Sequence, residues 1–176
     1  LWDQRLTLNL AAYHTTVRNF QATVVDSSQT VALRGYLSNI PEVRVKGIEA
    51  DAVLRLGALT LTGALAYGDG AYTRYPAGPC PLERQTSATA ACDLTGKQLA
   101  GLPRWSETLS GDYQLPLAGG SLVLHADSNW RSGYFGDPTL SQYTWINGYN
   151  LTNASIGYRQ ENAQGKGWEI ALFARN

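Results

Sequence analysis

The chain has 176 residues, with 14 Lys and Arg balanced by 14 Asp and Glu. That balance argues against a nucleic-acid-binding domain held by a net basic field. No apolar run approaches the roughly 18 residues of a membrane-spanning helix, a test to which β-barrels are blind. Met is absent, and no basic segment followed by an apolar one marks a signal peptide. Both facts fit a processed chain or a piece of a longer one. The aromatics are 10 Tyr and 5 Trp against 3 Phe, a choice suited to rings with one wet and one apolar end.

The first predicted strand runs over about Gln4–Val25. Leu6, Leu8, Leu10 and Ala12 share one face, Arg5, Thr7 and Asn9 the other. Asp26-Ser27-Ser28 breaks it. A second extended segment covers Thr30–Leu56, interrupted near Pro41. Ile48, Ala50, Ala52, Leu54 and Leu56 alternate there with Gly47, Glu49, Asp51, Val53 and Arg55. After a tight turn at Gly57-Ala58, Leu59, Leu61, Gly63, Leu65 and Tyr67 alternate with Thr60, Thr62, Ala64 and Ala66. A long loop from about Gly70 to Pro103 holds the only cysteines, Cys80 and Cys92.

Next comes a hairpin over 105–131. Trp105, Leu109, Tyr113, Leu115 and Leu117 form one apolar set, and Leu122, Leu124, Ala126 and Trp130 another. They flank a turn at Ala118-Gly119-Gly120. Soluble strands usually last five or six residues. These last ten or more, and a tilted strand needs roughly 9–11 to cross a bilayer. A shorter loop over Ser132–Tyr143 precedes a sixth strand, Thr144–Arg159, whose apolar phase shifts between Leu151 and Ala154, as a bulge would cause. A polar turn over Gln160–Gly167 leads to a seventh, with Trp168, Ile170, Leu172 and Ala174 in phase.

Short connections (57, 118, 163) and long ones (27, 70–103, 133–143) alternate. In an antiparallel meander this puts all long loops at one end, as in outer-membrane barrels. The expected fold is therefore all-β, an antiparallel meander forming part of a transmembrane β-barrel. A single-chain bacterial barrel has an even strand number, so seven strands imply others before Leu1 and after Asn176.

The polar faces carry the candidate chemistry. Glu49 and Asp51 share a face with Arg55, and His125 and Asp127 lie near Ser106, Ser110 and Asp112. Paired carboxylates or a Ser/His pair can serve acid–base or nucleophilic catalysis, but no nucleophile motif accompanies them. A polar wall facing water is the preferred reading. Tyr67, Tyr72, Trp105, Tyr113, Trp130, Tyr134, Trp145 and Tyr149 fall near strand ends and are expected to form an aromatic girdle. Cys80 and Cys92 are expected to close a local disulfide, because the context is extracytoplasmic. The alternative is two free thiols, and neither His14 nor His125 stands at zinc-ligand spacing.

Several stretches, in order, resemble the C-terminal barrel of TonB-dependent outer-membrane receptors: QRLTLNLAAYHTTVRNFQ (4–21), VRVKGIEADA (43–52), LTLTGALAYGDGAY (59–72), LPRWSETLSGDYQLPL (102–117), YNLTNASIGYR (149–159) and WEIALFARN (168–176). The resemblance implies about seven strands, roughly strands 15 to 21, of a plugged barrel of about 22. The plug domain, TonB box and final strand would lie outside residues 1–176. It also implies a bacterial outer-membrane receptor that imports a scarce ligand such as a ferric siderophore, and no enzyme and no cofactor. The implied partners are outer-membrane lipid, the TonB complex acting through the plug, and a small-molecule ligand, with no nucleic acid. Ligand contacts are expected from the long loops, with Arg74, Tyr75, Arg84, Tyr134, Phe135 and Asp137 as candidates. The competing expectations are a complete small outer-membrane barrel, enzyme or adhesin, and a soluble β-sandwich binding module with short strands and facing apolar surfaces.

Overall fold

The computed structural model describes residues 2–26, 34–84, 91–161 and 166–176. Nine strands follow one another: β1 (Leu6–Asp26), β2 (Arg34–Leu56), β3 (Leu59–Arg74), β4 (Trp105–Leu117), β5 (Gly120–Arg131), β6 (Tyr134–Phe135), β7 (Trp145–Ile146), β8 (Tyr149–Glu161) and β9 (Gly167–Arg175). Seven of them form one antiparallel sheet in the order β1-β2-β3-β4-β5-β8-β9, and β6 and β7 make a separate two-stranded ribbon. The sheet is open, with β1 and β9 at its two edges. Among the described residues the only helical segments are two single 3-10 turns, Leu82–Arg84 and Gln142–Thr144. The seven strands range from 9 residues in β9 to 23 in β2, too long for the sandwich expectation, and among the described residues no second sheet covers the apolar face.

Register turns the sequence alternation into continuous rows. Leu6, Leu54, Leu61, Gly111, Ala126, Ala154 and Ala174 stand opposite one another across all seven strands. Two residues along, Leu56, Leu59, Tyr113, Leu124, Ile156 and Leu172 form the next row. This apolar face is open: Leu10 is 74% and Leu172 75% exposed. An apolar surface of this extent on a water-soluble monomer would be anomalous.

The two short turns follow from their residues. Gly57 has φ +61 at the first central position of its hairpin, the place where a II′ turn requires glycine. Ala118 and Gly119 both have positive φ, as in a I′ turn. The Tyr158 hydroxyl donates to the Ala118 carbonyl at 2.9 Å and holds that turn down. On the polar face the Tyr13 ring lies over Gly47, its direct neighbour across β1 and β2. A Cβ at Gly47 would collide with that ring and with the Tyr67 carbonyl, so only glycine permits this approach.

The aromatic girdle is only partly as expected. Tyr67 and Trp105 meet in a tilted contact, 4.7 Å between centroids, at the loop end of the apolar face, with Trp130 one row nearer the centre. Tyr158 and Trp168 meet at 5.7 Å near the turn end, with Tyr113 one row inside. From Trp105 to Leu115, level with Tyr158, is ten residues. At about 3.4 Å per residue and about 40° of tilt that spans about 25 Å, the height of an outer-membrane apolar band. Tyr72, by contrast, is 1% exposed inside a small core at the loop end. Tyr149 lies opposite Arg131, whose guanidinium sits 5.3 Å from its ring. Tyr134 and Trp145 belong to the separate ribbon.

Two other expectations are corrected. Thr144–Arg159 is not one strand, because the chain makes a 3-10 turn, pairs briefly as β7 and restarts at Tyr149. Nor is there a bulge between Leu151 and Ala154: β8 stays in regular register with β5 from Tyr149 to Arg159, so Leu151 simply takes the polar face opposite Asn129. β1 is the single strand expected, Leu6–Asp26, although Asn19 within it takes φ +54. Pairing there is interrupted opposite Pro41, which has no N–H to give. The expected break at Asp26-Ser27-Ser28 comes no earlier than Ser27, because Asp26 still pairs with Arg34 as the last residue of β1; Ser27-Ser28, the start at Thr30 and the centre of the Gln160–Gly167 turn lie outside the described residues.

Leu61 sits mid-row on the apolar face. Replacing it with Arg in the full-length, bilayer-embedded protein is expected to cost about 2–4 kcal/mol, and Thr62→Arg on the other face far less. Denaturant unfolding from lipid vesicles measures both, and equal costs would contradict the assignment of faces.

Candidate functional site

The site expected from the sequence is the loop end. There the β1–β2 ribbon rises well beyond β3: its pairing continues to Asp26 and Arg34, whereas β3 stops at Arg74 opposite Glu42. Loop 75–104 folds back onto this ribbon. Ile40, Val43, Tyr72, Tyr75 and Leu94 form its buried centre, with Phe20, Ala22, Cys92, Leu99 and Leu140 packed around them. Leu140 comes from the other long loop, so one core unites the ribbon and both loops.

Polar contacts hold the first loop closed. Gly78 and Cys92 exchange backbone hydrogen bonds of 2.8 and 2.9 Å, and Cys80 and Cys92 are joined as a disulfide with Cα atoms 4.9 Å apart. The Leu94 N–H donates to the Tyr75 carbonyl, and the Tyr75 N–H to Thr95 Oγ1. The Asp93 carboxylate accepts from the Thr95 amide and side chain, which holds its pKa below the usual range. Beyond this lasso, the Tyr72 and Leu99 amides exchange bonds with loop and strand carbonyls, so residues 96–104 run beside the upper part of β3.

The two loops are clasped by Glu83. Its carboxylate accepts from Ser141 Oγ at 2.7 Å and from the Gln142 amide at 3.0 Å. A third bond joins the Gly101 amide to the Phe135 carbonyl at 2.7 Å. The Gln142 and Ser141 donors hold the Glu83 carboxyl below its ordinary pKa. Ser141 also caps the turn Gln142–Thr144, and it is buried. Neither Glu83 nor Ser141 was singled out from the sequence. A Ser before a short turn is a readable cap, but its partner is distant in the chain.

The structure sorts the six candidate contact residues. Arg74 ends β3 near the Glu42 carboxylate, and Arg84 closes the Leu82–Arg84 turn; both are exposed. Tyr134 and Phe135 form β6, where Phe135 meets Trp145 edge-on at 5.0 Å. Asp137 Oδ1 accepts from the Thr139 amide at 2.8 Å, which makes it a turn former. Tyr75 is buried in the core, with Ser38 hydrogen-bonded to its hydroxyl and burial raising its pKa. The clasp brings the Arg84 turn beside the Asp137–Thr144 segment, while Arg74 stays at the base and Tyr75 faces inward.

The polar face of the sheet holds the other candidates. His125 Nδ1 lies 2.7 Å from Asp112 and Nε2 lies 3.3 Å from Asp127. Asn129 and Asn153 both donate to Asp127 Oδ2. Both imidazole nitrogens thus face carboxylates, and neither is left for Ser106 or Ser110, so no nucleophile–base pair forms. Asp51 accepts from Asn9 across β1 and β2 at 2.8 Å. Among the described residues no three His, Cys, Asp or Glu side chains converge to hold a metal.

A long-stranded meander with one apolar face, one hydrogen-bonded polar face and all long loops at one end is the wall of a large β-barrel. The family model described as "TonB dependent receptor-like, beta-barrel" matches residues 1–176. The chain belongs to the TonB-dependent receptor β-barrel family. Among solved structures it is similar to BauA, the ferric preacinetobactin receptor of Acinetobacter baumannii. That match has a TM-score of 0.66 and 18% identity, covering 98% of this chain and 23% of that one. It is also similar to the siderophore receptor PiuA of the same organism, with a TM-score of 0.62 and 16% identity, covering 99% and 26%. These likenesses show the fold, and the chain spans about a quarter of each neighbour's length. No curated protein matches it.

Two outcomes test the loop assembly. Because the folded state lowers the Glu83 pKa, the clasp is fully formed above the carboxyl's ordinary value of 4.5 and lost as pH falls through the lowered one. Hydrogen exchange at the Gln142 amide should accelerate over that acid range, and Glu83→Gln should abolish the pH dependence. Replacing both cysteines with Ser is expected to cost about 3 kcal/mol of loop stability, read as faster trypsin cleavage at Lys97.

Proposed function

We propose that this chain is part of the barrel wall of an outer-membrane TonB-dependent receptor that imports a scarce ligand such as a ferric siderophore. The observation that carries the reading is the family match over residues 1–176. The loop platform built on one shared core agrees with it. In this reading the sheet is about seven strands of a barrel of about 22. A plug domain and a closing strand are supplied outside residues 1–176, and the TonB complex acts through that plug. The apolar face meets bacterial outer-membrane lipid, and the polar face looks onto the lumen and plug.

The protein then works by binding and gating. In keeping with the family, which is one of receptors, we propose no enzymatic step and no cofactor. Arg84, Tyr134 and Phe135 are the loop residues best placed to meet ligand, because each is at least partly exposed on or beside the clasped platform. A guanidinium suits the oxygen-rich, anionic surface of a ferric chelate, and aromatic rings suit its organic shell.

Binding by the full-length receptor in detergent tests the proposal, with a panel of iron-loaded and iron-free siderophores. Iron-dependent binding of at least one is expected, together with loss of growth on that iron source when the gene is deleted. Replacing Arg84 and Tyr134 together with Ala should weaken binding by about tenfold or more. Normal iron-limited growth without the gene, and no binding across the panel, would overturn the reading.

A further inference from the structure

The second long loop continues the wall hairpin beneath it. β5 and β8 pair as far as Arg131 opposite Tyr149, and Tyr134 opposite Ile146 and Phe135 opposite Trp145 keep the same register. One step further the Gly136 amide donates to the Thr144 carbonyl at 2.8 Å. Between these two ladders pairing stops, at Ser132-Gly133 on one side and Asn147-Gly148 on the other. A Cβ on Gly133 would run into the Trp145 ring, and one on Gly148 would crowd the Arg131 carbonyl, so both sides of the gap favour glycine. A gap without cross-strand bonds, with glycine on each side, is where a hairpin can bend.

Above the gap, residues 134–146 are bonded to themselves. Phe135 meets Trp145, Asp137 accepts from the Thr139 amide, and the Leu140 and Thr144 amides donate to the Asp137 and Ser141 carbonyls. The tip is strained, because Leu140 has φ +55, a left-handed backbone that leucine adopts at a cost. Three outside contacts hold it. Leu140 packs against the shared core. The Gly101 amide donates to the Phe135 carbonyl. Glu83 takes the Ser141 hydroxyl and the Gln142 amide, immediately after the strained residue. Glu83 itself is fixed, on the turn Leu82–Arg84 inside the Cys80–Cys92 lasso. A bending point at the base thus faces a catch at the tip, with strain beside the catch.

We propose that residues 134–146 are a hinged flap and that Glu83 is its latch, a positioning residue that holds Tyr134 and Phe135 beside the first loop for ligand capture. The effect on ligand rests on the receptor reading above. The charges around the latch are few. Arg84 stands on the same turn, and Asp93 of the lasso is engaged by Thr95. The flap's titratable groups are Tyr134, Tyr143 and Asp137, the last engaged by Thr139, and it offers Glu83 only the Ser141 and Gln142 donors. A neutral side chain at position 83 loses the charge-assisted part of both bonds. Leu140 is then free to relax, and the flap swings as one piece because its internal bonds are untouched. Apparent affinity falls with the latched fraction. Because the folded state lowers the Glu83 pKa, the latch holds above 4.5 and opens as pH falls through the lowered value.

The Gly101 amide is the reporter, since its acceptor is the Phe135 carbonyl on the flap and not Glu83. The test uses full-length receptor in detergent, with hydrogen exchange read at single amides by fragmentation mass spectrometry. At pH 7, Glu83→Gln should speed exchange at Gln142 and at Gly101 by a common factor of about ten. Below pH 4.5 the parent's two rates should converge on those of the variant. Acceleration at Gln142 alone would mark a local bond and overturn the latch. Titration at pH 7 with ferrioxamine B, ferric enterobactin and ferric dicitrate reads capture. Glu83→Gln should weaken the complex the parent forms about fivefold. A parent that binds one of them, with equal affinity in the variant, refutes the positioning role alone. A parent that binds none refutes the siderophore reading together with it.

Discussion

The constraint on which everything else depends is backbone hydrogen bonding across the sheet. A peptide N–H or C=O placed in hydrocarbon finds no water, and each unpaired group costs several kcal/mol. A wall strand must therefore pair along its whole crossing on both sides. That requirement accounts for the long ladders, with β2 pairing from Arg34 to Leu54 against β1 and from Glu42 to Leu56 against β3. It also accounts for the rarity of interruptions within the belt-to-belt span. The irregular positions, Asn19 opposite Pro41 and the register shift at Glu42/Val43, lie above the aromatic belt. There water or loop atoms can satisfy what the ladder leaves open.

Once the ladders are in register, side-chain alternation sorts chemistry by face. The polar face uses neighbouring strands to complete each group: His125 between Asp112 and Asp127, Asn153 on Asp127, Asn9 on Asp51. These are cross-strand pairs that exist only because the register places them opposite or one step diagonal. The loop end works differently. There the overhanging β1–β2 ribbon supplies a surface on which two loops bury Tyr72, Tyr75, Leu94 and Leu140 together. Within the span each residue has an apolar or a polar side, and among the described residues only beyond it does the protein make a core of its own.

The wall was legible in the sequence and the platform was not. Period-two alternation in Leu59–Tyr67 or Leu122–Trp130 reports directly on a strand with one apolar and one polar face, and Gly57 and Gly119 mark turns whose φ only certain residues accept. Loop order is governed by contacts distant in sequence, and periodicity carries none of that. Tyr75, followed by Pro76 and Gly78, has the composition of an exposed loop tip, yet it is a core residue because the chain folds back onto Ile40. Asp137 read as a ligand candidate and serves its own turn. Glu83, the residue that ties the loops, has no local signature at all. Alternation was also misleading where it was read too literally. Leu151 breaks the apolar phase without a bulge, because a polar face beside Arg131 and Tyr149 tolerates one leucine.

The placement of charge on the apolar face follows from depth. A lipid-facing cation costs about 2–4 kcal/mol at the midplane and about 0–1 near the interface, with carboxylates less demanding. The central rows accordingly hold Leu54, Leu61, Gly111 and Ala126, with no ionisable group from Leu6 across to Ala174. Glu107 is the first exception. It stands opposite Leu65 and Trp130, level with the aromatic belt, and the alternating pattern of β4 passes over it. At that depth its carboxylate can reach the interface, so the row is tolerated. One row further out are Tyr67 and Trp105, and beyond them the same face of β2 turns cationic at Lys46 and Arg44. The order of small apolar residues, belt aromatics with one acid, then cations is the order of falling desolvation cost.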